Sequence, residues 1–161
     1  MKVLWAPWRG EYLKSKKSGC IFCDEPEENN DGKNYIFKRD KLVYGILNKF
    51  PYSSGHLMVA PYSHIVDLKE LSQAEWLAML DLVKISMGAL DGIMHPAGYN
   101  IGMNLGGAVS GAGFGHLHLH VVPRWDGDTN FMPVLADTKV ISEHLNETYR
   151  KLKERLDSPA A

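Results

Sequence analysis

His116-Leu117-His118-Leu119-His120-Val121-Val122 sets three imidazoles at alternate positions among aliphatic residues. In an extended strand successive side chains point to opposite faces, so the three rings share one face and Leu117, Leu119 and Val121 share the other. One face predicts core and the other chemistry. Three readings of the histidine face stand side by side: a hydrogen-bonded structural cluster, a transition-metal site, and a nucleophilic site. Residues 106–115, just ahead of the strand, hold five glycines and two alanines. Such a loop lets backbone N–H groups approach a phosphate closely, and a neutral imidazole is a good nucleophile toward phosphorus.

Working outward from that strand, NYIFK and LVYGILN are β-branched and aromatic runs separated by Arg39-Asp40-Lys41, which predicts two strands and a tight turn. HLMVAP, ended by Pro61, predicts a third strand, YNIGMNL a fourth, and HLHLHVVP a fifth ended by Pro123. Ser72-Gln73-Ala74-Glu75 has capping-box form. Beyond it Leu77, Leu80, Val83, Met87, Leu90 and Met94 recur at helical spacing until Pro96, predicting one long core helix. Ile141, Leu145, Tyr149, Leu152 and Leu156 predict a C-terminal helix. The acidic, breaker-rich residues 24–33 read as a surface loop. Strands gathered around one helix without a βαβ rhythm give the α+β class with a mostly antiparallel sheet.

The 161 residues suffice for one domain, divided here into an N-terminal arm (1–19), a central domain (20–135) and a C-terminal helix and tail (136–161). A net charge of -1 disfavours nucleic acid as a partner. The absence of a long apolar run or a secretory signal predicts no membrane association and a cytoplasmic location. Cys20 and Cys23, at C-x-x-C spacing, read as half a metal site or a redox pair, or as two ordinary buried thiols.

H-L-H-L-H-V-V, together with the upstream residues Asn48, His56, Met58, Pro61 and His64 at their spacing, resembles the paired signature of the histidine triad family. The resemblance covers roughly residues 20–125. It implies a homodimer of α+β protomers whose sheets join into one, with the possibility of further pairing to a tetramer, and a nucleotide or dinucleoside polyphosphate as substrate. By that resemblance His118 attacks the α-phosphorus, His120 donates to a non-bridging oxygen, His116 completes the triad and His56 orders the cluster. Asn48 falls where relatives hold the ribose, although it also suits a turn before Pro51. Ile46 and Met58 fall where relatives wall the base, or are plain core. Asn104 takes the place of an amide near ribose or phosphate, or starts a loop. Zinc-containing relatives imply that Cys20, Cys23, His64 and His116 hold a structural zinc. No organic cofactor is implied.

Many triad hydrolases carry a Gln-Ser or Gln-Thr pair where this chain has Ala112 and Gly113. Without those side chains the leaving group must rely on backbone N–H groups around Gly111, Ala112 and Gly113, on water or on the substrate. The WAPWR segment at residues 5–9, the C-x-x-C, Asn104, the small run 111–113 and Val122-Pro123-Arg124-Trp125 resemble a bacterial branch that includes diadenosine tetraphosphate phosphorylases. That branch uses inorganic phosphate as acceptor, and the alternatives are a triad hydrolase or nucleoside phosphoramidase using water, or a nucleotide-binding protein without turnover. Trp125 would then approach the polyphosphate or second nucleoside, or else plug a sheet edge.

Overall fold

Alternating apolar residues build five strands, β1 (Ile36–Arg39), β2 (Val43–Leu47), β3 (Leu57–Pro61), β4 (Gly98–Gly102) and β5 (Leu119–Arg124). The computed structural model describes residues 19–106, 115–128, 141 and 143–158. The strands pair in the order β1-β2-β3-β5-β4, every pair antiparallel. The class is α+β, as the sequence predicts. Helices α1 (Ile21–Glu27), α2 (Asp31–Asn34), α3 (Gln73–Met94) and α4 (Leu145–Asp157) complete the described elements, with a short 3-10 turn at Leu68–Glu70. No helix among the described residues is long and apolar enough to cross a membrane.

Period-two alternation gives the sheet two different faces. Phe37, Val43, Leu47, Leu57, Val59, Leu119 and Val121 meet Met79, Leu82, Val83 and Leu90 of α3 and Leu152 of α4. On the reverse face Ile36, Tyr44, Ile46, Met58 and Ala60 pack with Phe22 of α1. Covered on both sides, β2 and β3 are buried along their whole length. Helix α3 begins with the predicted capping box: Ser72 Oγ accepts from the Glu75 N–H at 3.2 Å, and Glu75 Oε2 accepts from the Ser72 N–H at 3.0 Å.

The structure corrects three expectations. Leu77 and Leu80 are exposed, and the buried stripe of α3 runs through Met79, Leu82, Val83, Ser86 and Leu90. Two apolar stripes share this helix, so periodicity could not say which one meets the sheet. Residues 24–33 are largely helical because tertiary contacts override breaker composition: Asn30 Oδ1 caps α2 at the Lys33 N–H, and Arg39 reaches both Asp31 and the Pro26 carbonyl. Pro26 sits inside α1 and lacks the N–H that would bond Phe22 O, and that carbonyl instead accepts from Tyr44 OH at 2.8 Å. Pro123 stays inside β5, opposite Tyr99, since the ladder to β3 stops at Val121 and no donor is required on that side beyond it.

Gly55 fixes the approach to β3. Its φ is +74°, and a Cβ there would lie 2.8 Å from Met94 Sδ and 3.1 Å from Leu90 Cδ2. Backbone strain and crowding act together, so Gly55→Ala is expected to lower unfolding free energy by about 1–3 kcal/mol in urea titration. An unchanged midpoint would show that the loop relaxes freely.

Candidate functional site

Pairing of β3 with β5 sets Met58 opposite His120 and Leu57 opposite Val121. It thereby lays the 56–64 half of the histidine pattern beside the 116–120 half. Residues 116–118 precede the β5 ladder but stay aligned with it, because the Leu117 N–H donates to Ile65 O at 2.7 Å. His56, His116 and His118 are buried.

A chain of hydrogen bonds assigns the protons. The Tyr52 N–H donates to His56 Nδ1 at 3.1 Å, so His56 carries its proton on Nε2 and donates it to His120 Nδ1 at 3.0 Å. Neutral His120 then holds its own proton on Nε2, beside the Asn104 amide at 3.3 Å. A half-turn of that amide presents its oxygen to the ring. Burial, then the neighbouring His118, pushes His120 down to about 4. His118 Nδ1 lies 2.8 Å from His116 O. A carbonyl only accepts, so the His118 proton sits on Nδ1 and Nε2 keeps its lone pair. Burial holds this ring below the ordinary histidine range.

Cys20, Cys23, His64 and His116 form a second cluster whose donor atoms all lie within 4.8 Å of one another. Cys20 Sγ to His116 Nδ1 and Cys23 Sγ to His64 Nδ1 are each 3.4 Å, and Cys23 Sγ to His116 Nδ1 is 3.5 Å. A tetrahedral ion bound at about 2.3 Å to sulfur and about 2.1 Å to nitrogen separates those atoms by roughly 3.6 Å. The spacing therefore fits a metal ion directly. His116 Nε2 donates to Pro61 O at 3.0 Å, which leaves Nδ1 free to ligate and fixes the ring. Burial and the adjacent Cys20 push the Cys23 thiol up to about 11, so metal must displace thiol protons.

Other expected residues fall as follows. Ile46 and Met58 pair across β2 and β3 and lie buried with Phe22. Asn48 Oδ1 accepts from the Phe50 N–H at 2.8 Å, closing a turn before Pro51. Trp125 donates from Nε1 to Met94 O at 3.3 Å, at the end of α3. It stands seven residues beyond His118, roughly 20 Å along an extended chain, so the structure does not bring it to that ring. Gly111, Ala112 and Gly113 lie outside the described residues, as does most of the N-terminal arm.

Two aromatic residues escaped the sequence reading. Phe22 stacks on His118 with centroids 4.5 Å apart, and Tyr52 stacks on His56 at 4.7 Å. The position of Phe22 between two cysteines was the one available signal.

Cobalt(II) added to metal-free protein is expected to give the intense visible absorption of a tetrahedral thiolate site at one equivalent per chain. Cys23→Ser should abolish it, and affinity should fall as pH drops because protons compete for the thiolates. A weak, octahedral-type spectrum contradicts the four-residue centre.

A family model described as the HIT domain matches residues 29–127. The chain is 36% identical over 161 residues to a Mycobacterium tuberculosis protein named AP-4-A phosphorylase, covering 94% of this chain and 83% of that one. It is 28% identical over 93 residues to the asymmetrical bis(5'-nucleosyl)-tetraphosphatase of Schizosaccharomyces pombe, covering 58% of this chain and 50% of that one. A crystal structure described as a Zn-bound histidine triad family protein from Mycobacterium smegmatis superposes with a TM-score of 0.68 at 29% identity, covering 86% of this chain and 93% of that chain. On the family match and the M. tuberculosis relative together, the chain belongs to the HIT domain family.

Proposed function

We propose that the protein cleaves dinucleoside polyphosphates through a nucleotidyl group carried on His118, with inorganic phosphate as the second acceptor. One observation carries the reading: the 2.8 Å hydrogen bond between His118 Nδ1 and His116 O, which leaves Nε2 as an uncharged nucleophile. In the first step Nε2 bonds to the α-phosphorus, the bond from that phosphorus to its bridging oxygen breaks, and the electron pair leaves with the shortened polyphosphate. The imidazolium so formed keeps its Nδ1 proton on the His116 carbonyl. His120 offers its Nε2 proton to a non-bridging oxygen as charge gathers there. In the second step a phosphate oxygen attacks, the P–N bond breaks and its electron pair returns to Nε2. Diadenosine tetraphosphate would give ATP in the first step and ADP in the second.

The name of the M. tuberculosis relative supports phosphate as acceptor. So does the chain's own Ala112-Gly113, which offers no polar side chain to a water or leaving group. In this reading backbone N–H groups of Gly111, Ala112 and Gly113 hold the phosphates, Asn104 and Asn48 serve phosphate and ribose, and Ile46 and Met58 border the base. Zinc fills the Cys20, Cys23, His64 and His116 centre, a reading supported by the donor spacing and by the Zn-bound M. smegmatis relative. Bound there, it supplies rigidity, and substrate chemistry stays with the histidines. A reducing compartment, the cytoplasm, keeps both thiols available to the metal.

A homodimer belongs to the same reading. Edge strand β4 exposes Ile101, followed by exposed Leu105, and the outward stripe of α3 exposes Leu77, Leu80 and Ile85. A strand that ends the sheet among the described residues and an apolar stripe are surfaces that a second copy would cover, joining the two sheets. Trp125 then serves the site of the partner copy.

Incubation with diadenosine tetraphosphate, followed by ion-exchange separation of products, tests the chemistry. ATP and ADP are expected only when phosphate is present, and His118→Ala should slow turnover at least about a thousandfold while nucleotide still binds. AMP and ATP irrespective of phosphate would make water the acceptor, and undiminished turnover by the variant would remove His118 from the reaction. Sedimentation should give a dimer, shifted toward monomer by Ile101→Lys. A monomeric parent protein contradicts the joined sheet.

A further inference from the structure

Phe22 is fully buried against His116 of the Cys/His cluster and His118 beside it. Its ring lies flat on His118, with centroids 4.5 Å apart and planes 30° apart, and tilts against His116 at 5.3 Å. Its backbone is tied at both ends. Cys20 O accepts from the Cys23 and Asp24 N–H groups at 2.9 and 2.8 Å, forming the turn that carries Phe22, and Phe22 O accepts from Tyr44 OH. Ile36, Ile46 and Met58 pack around it.

His118 needs more than one support. The hydrogen bond from Nδ1 is a single anchor, and a ring free to turn can break it and leave both nitrogens to compete for the proton. Phe22 covers one face, and His120 meets the ring edge-on at 4.7 Å with planes 71° apart. Only with the plane fixed does Nε2 keep one direction, and misalignment by a small angle is costly in an in-line displacement.

We propose that Phe22 is a positioning residue for His118 and that, because it is carried between metal ligands Cys20 and Cys23, it makes metal occupancy control the alignment of the nucleophile. A loaded centre stiffens the 20–23 turn and presses the Phe22 ring onto the imidazole. Loss of the ion loosens the turn, and the ring plane with it. A second link runs in parallel, since His116 supplies both the metal-facing Nδ1 and the carbonyl that His118 bonds. The proposal rests on the reading of His118 as nucleophile for its kinetic consequence, while its structural consequence stands without turnover.

The test uses the full zinc-loaded protein, with ring 15N shifts of His118 read at one fixed alkaline pH without substrate. Wild type is expected to show a single Nδ1–H tautomer. Phe22→Leu, which keeps an apolar side chain but removes the flat face, should retain one zinc per chain and bring both tautomers into view. Its kcat on diadenosine tetraphosphate should fall about tenfold with KM within twofold. Phe22→Tyr restores the ring face and should recover most of the kcat. Chelation of wild-type protein should reproduce the mixed tautomer spectrum, reversed by added zinc, and this arm stands even if Phe22→Leu does not fold. A zinc-loaded Phe22→Leu protein with the wild-type spectrum and kcat overturns the positioning role, and a chelated wild-type protein with an unchanged His118 spectrum overturns the coupling. If His118→Ala retains turnover, the catalytic reading fails while the spectra still report on the link between metal and ring.

Discussion

Antiparallel pairing of β3 with β5 is the constraint on which this molecule depends. It joins residues about sixty positions apart, and the register Met58↔His120 decides everything that follows. A slip of one residue would turn Leu119 and Val121 out of the helix-covered core and drive His118 and His120 into it. Closing a loop of that length costs entropy that grows only slowly with length, and Leu57, Val59, Leu119 and Val121 offset it by packing together under α3. The same pairing brings His56 to His120 and His64 to His116. Core and site are thus two faces of one ladder, and stability and chemistry share a single register.

Burying several imidazoles is expensive unless each polar atom finds a partner, and here they partner one another and the backbone. Among the described residues no buried side-chain nitrogen or oxygen lacks a hydrogen bond. The direction of those bonds is dictated at the ends. A backbone N–H at Tyr52 can only donate, and carbonyls at His116 and Pro61 can only accept, so the tautomers of His56, His120, His118 and His116 follow in turn. Backbone geometry, which strands fix well, therefore chooses which nitrogen of each ring carries the proton and which keeps a lone pair.

Much of this was legible in the sequence because it follows periods. Alternation in HLHLHVVP assigned the faces of β5, and Ser72 with Glu75 marked the start of α3. Periodicity placed α3 and its buried Val83 and Leu90 but misassigned Leu77 and Leu80, which with Ile85 form an exposed stripe opposite the buried one through Met79 and Leu82. Both satisfy helical spacing, and only the sheet selects between them. Composition failed at residues 24–33, since Pro26 reads as a breaker until Tyr44 OH takes the carbonyl it leaves unbonded. Phe22 and Tyr52 were illegible for a different reason. Their roles depend on a stacking partner far along the chain, and an isolated aromatic residue carries no pattern that points to it.

Electrostatics set the remaining condition. In the proposed reaction the substrate carries several negative charges, yet burial holds His118 below the ordinary histidine range and His116 and His120 down to about 4. Lys49, next to Asn48, is paired with Glu25 at 2.7 Å. In the proposed reaction the described imidazoles would therefore meet a nucleotide as neutral rings and N–H dipoles and not as fixed cations. Dipoles aimed at the oxygens where charge gathers favour the transition state without holding the ground-state polyanion equally tightly. A neutral nucleophile, the role proposed for His118, would also gain positive charge as it attacks, so the field that draws electrons from phosphorus would be created in the step itself and vanish when the second acceptor arrives.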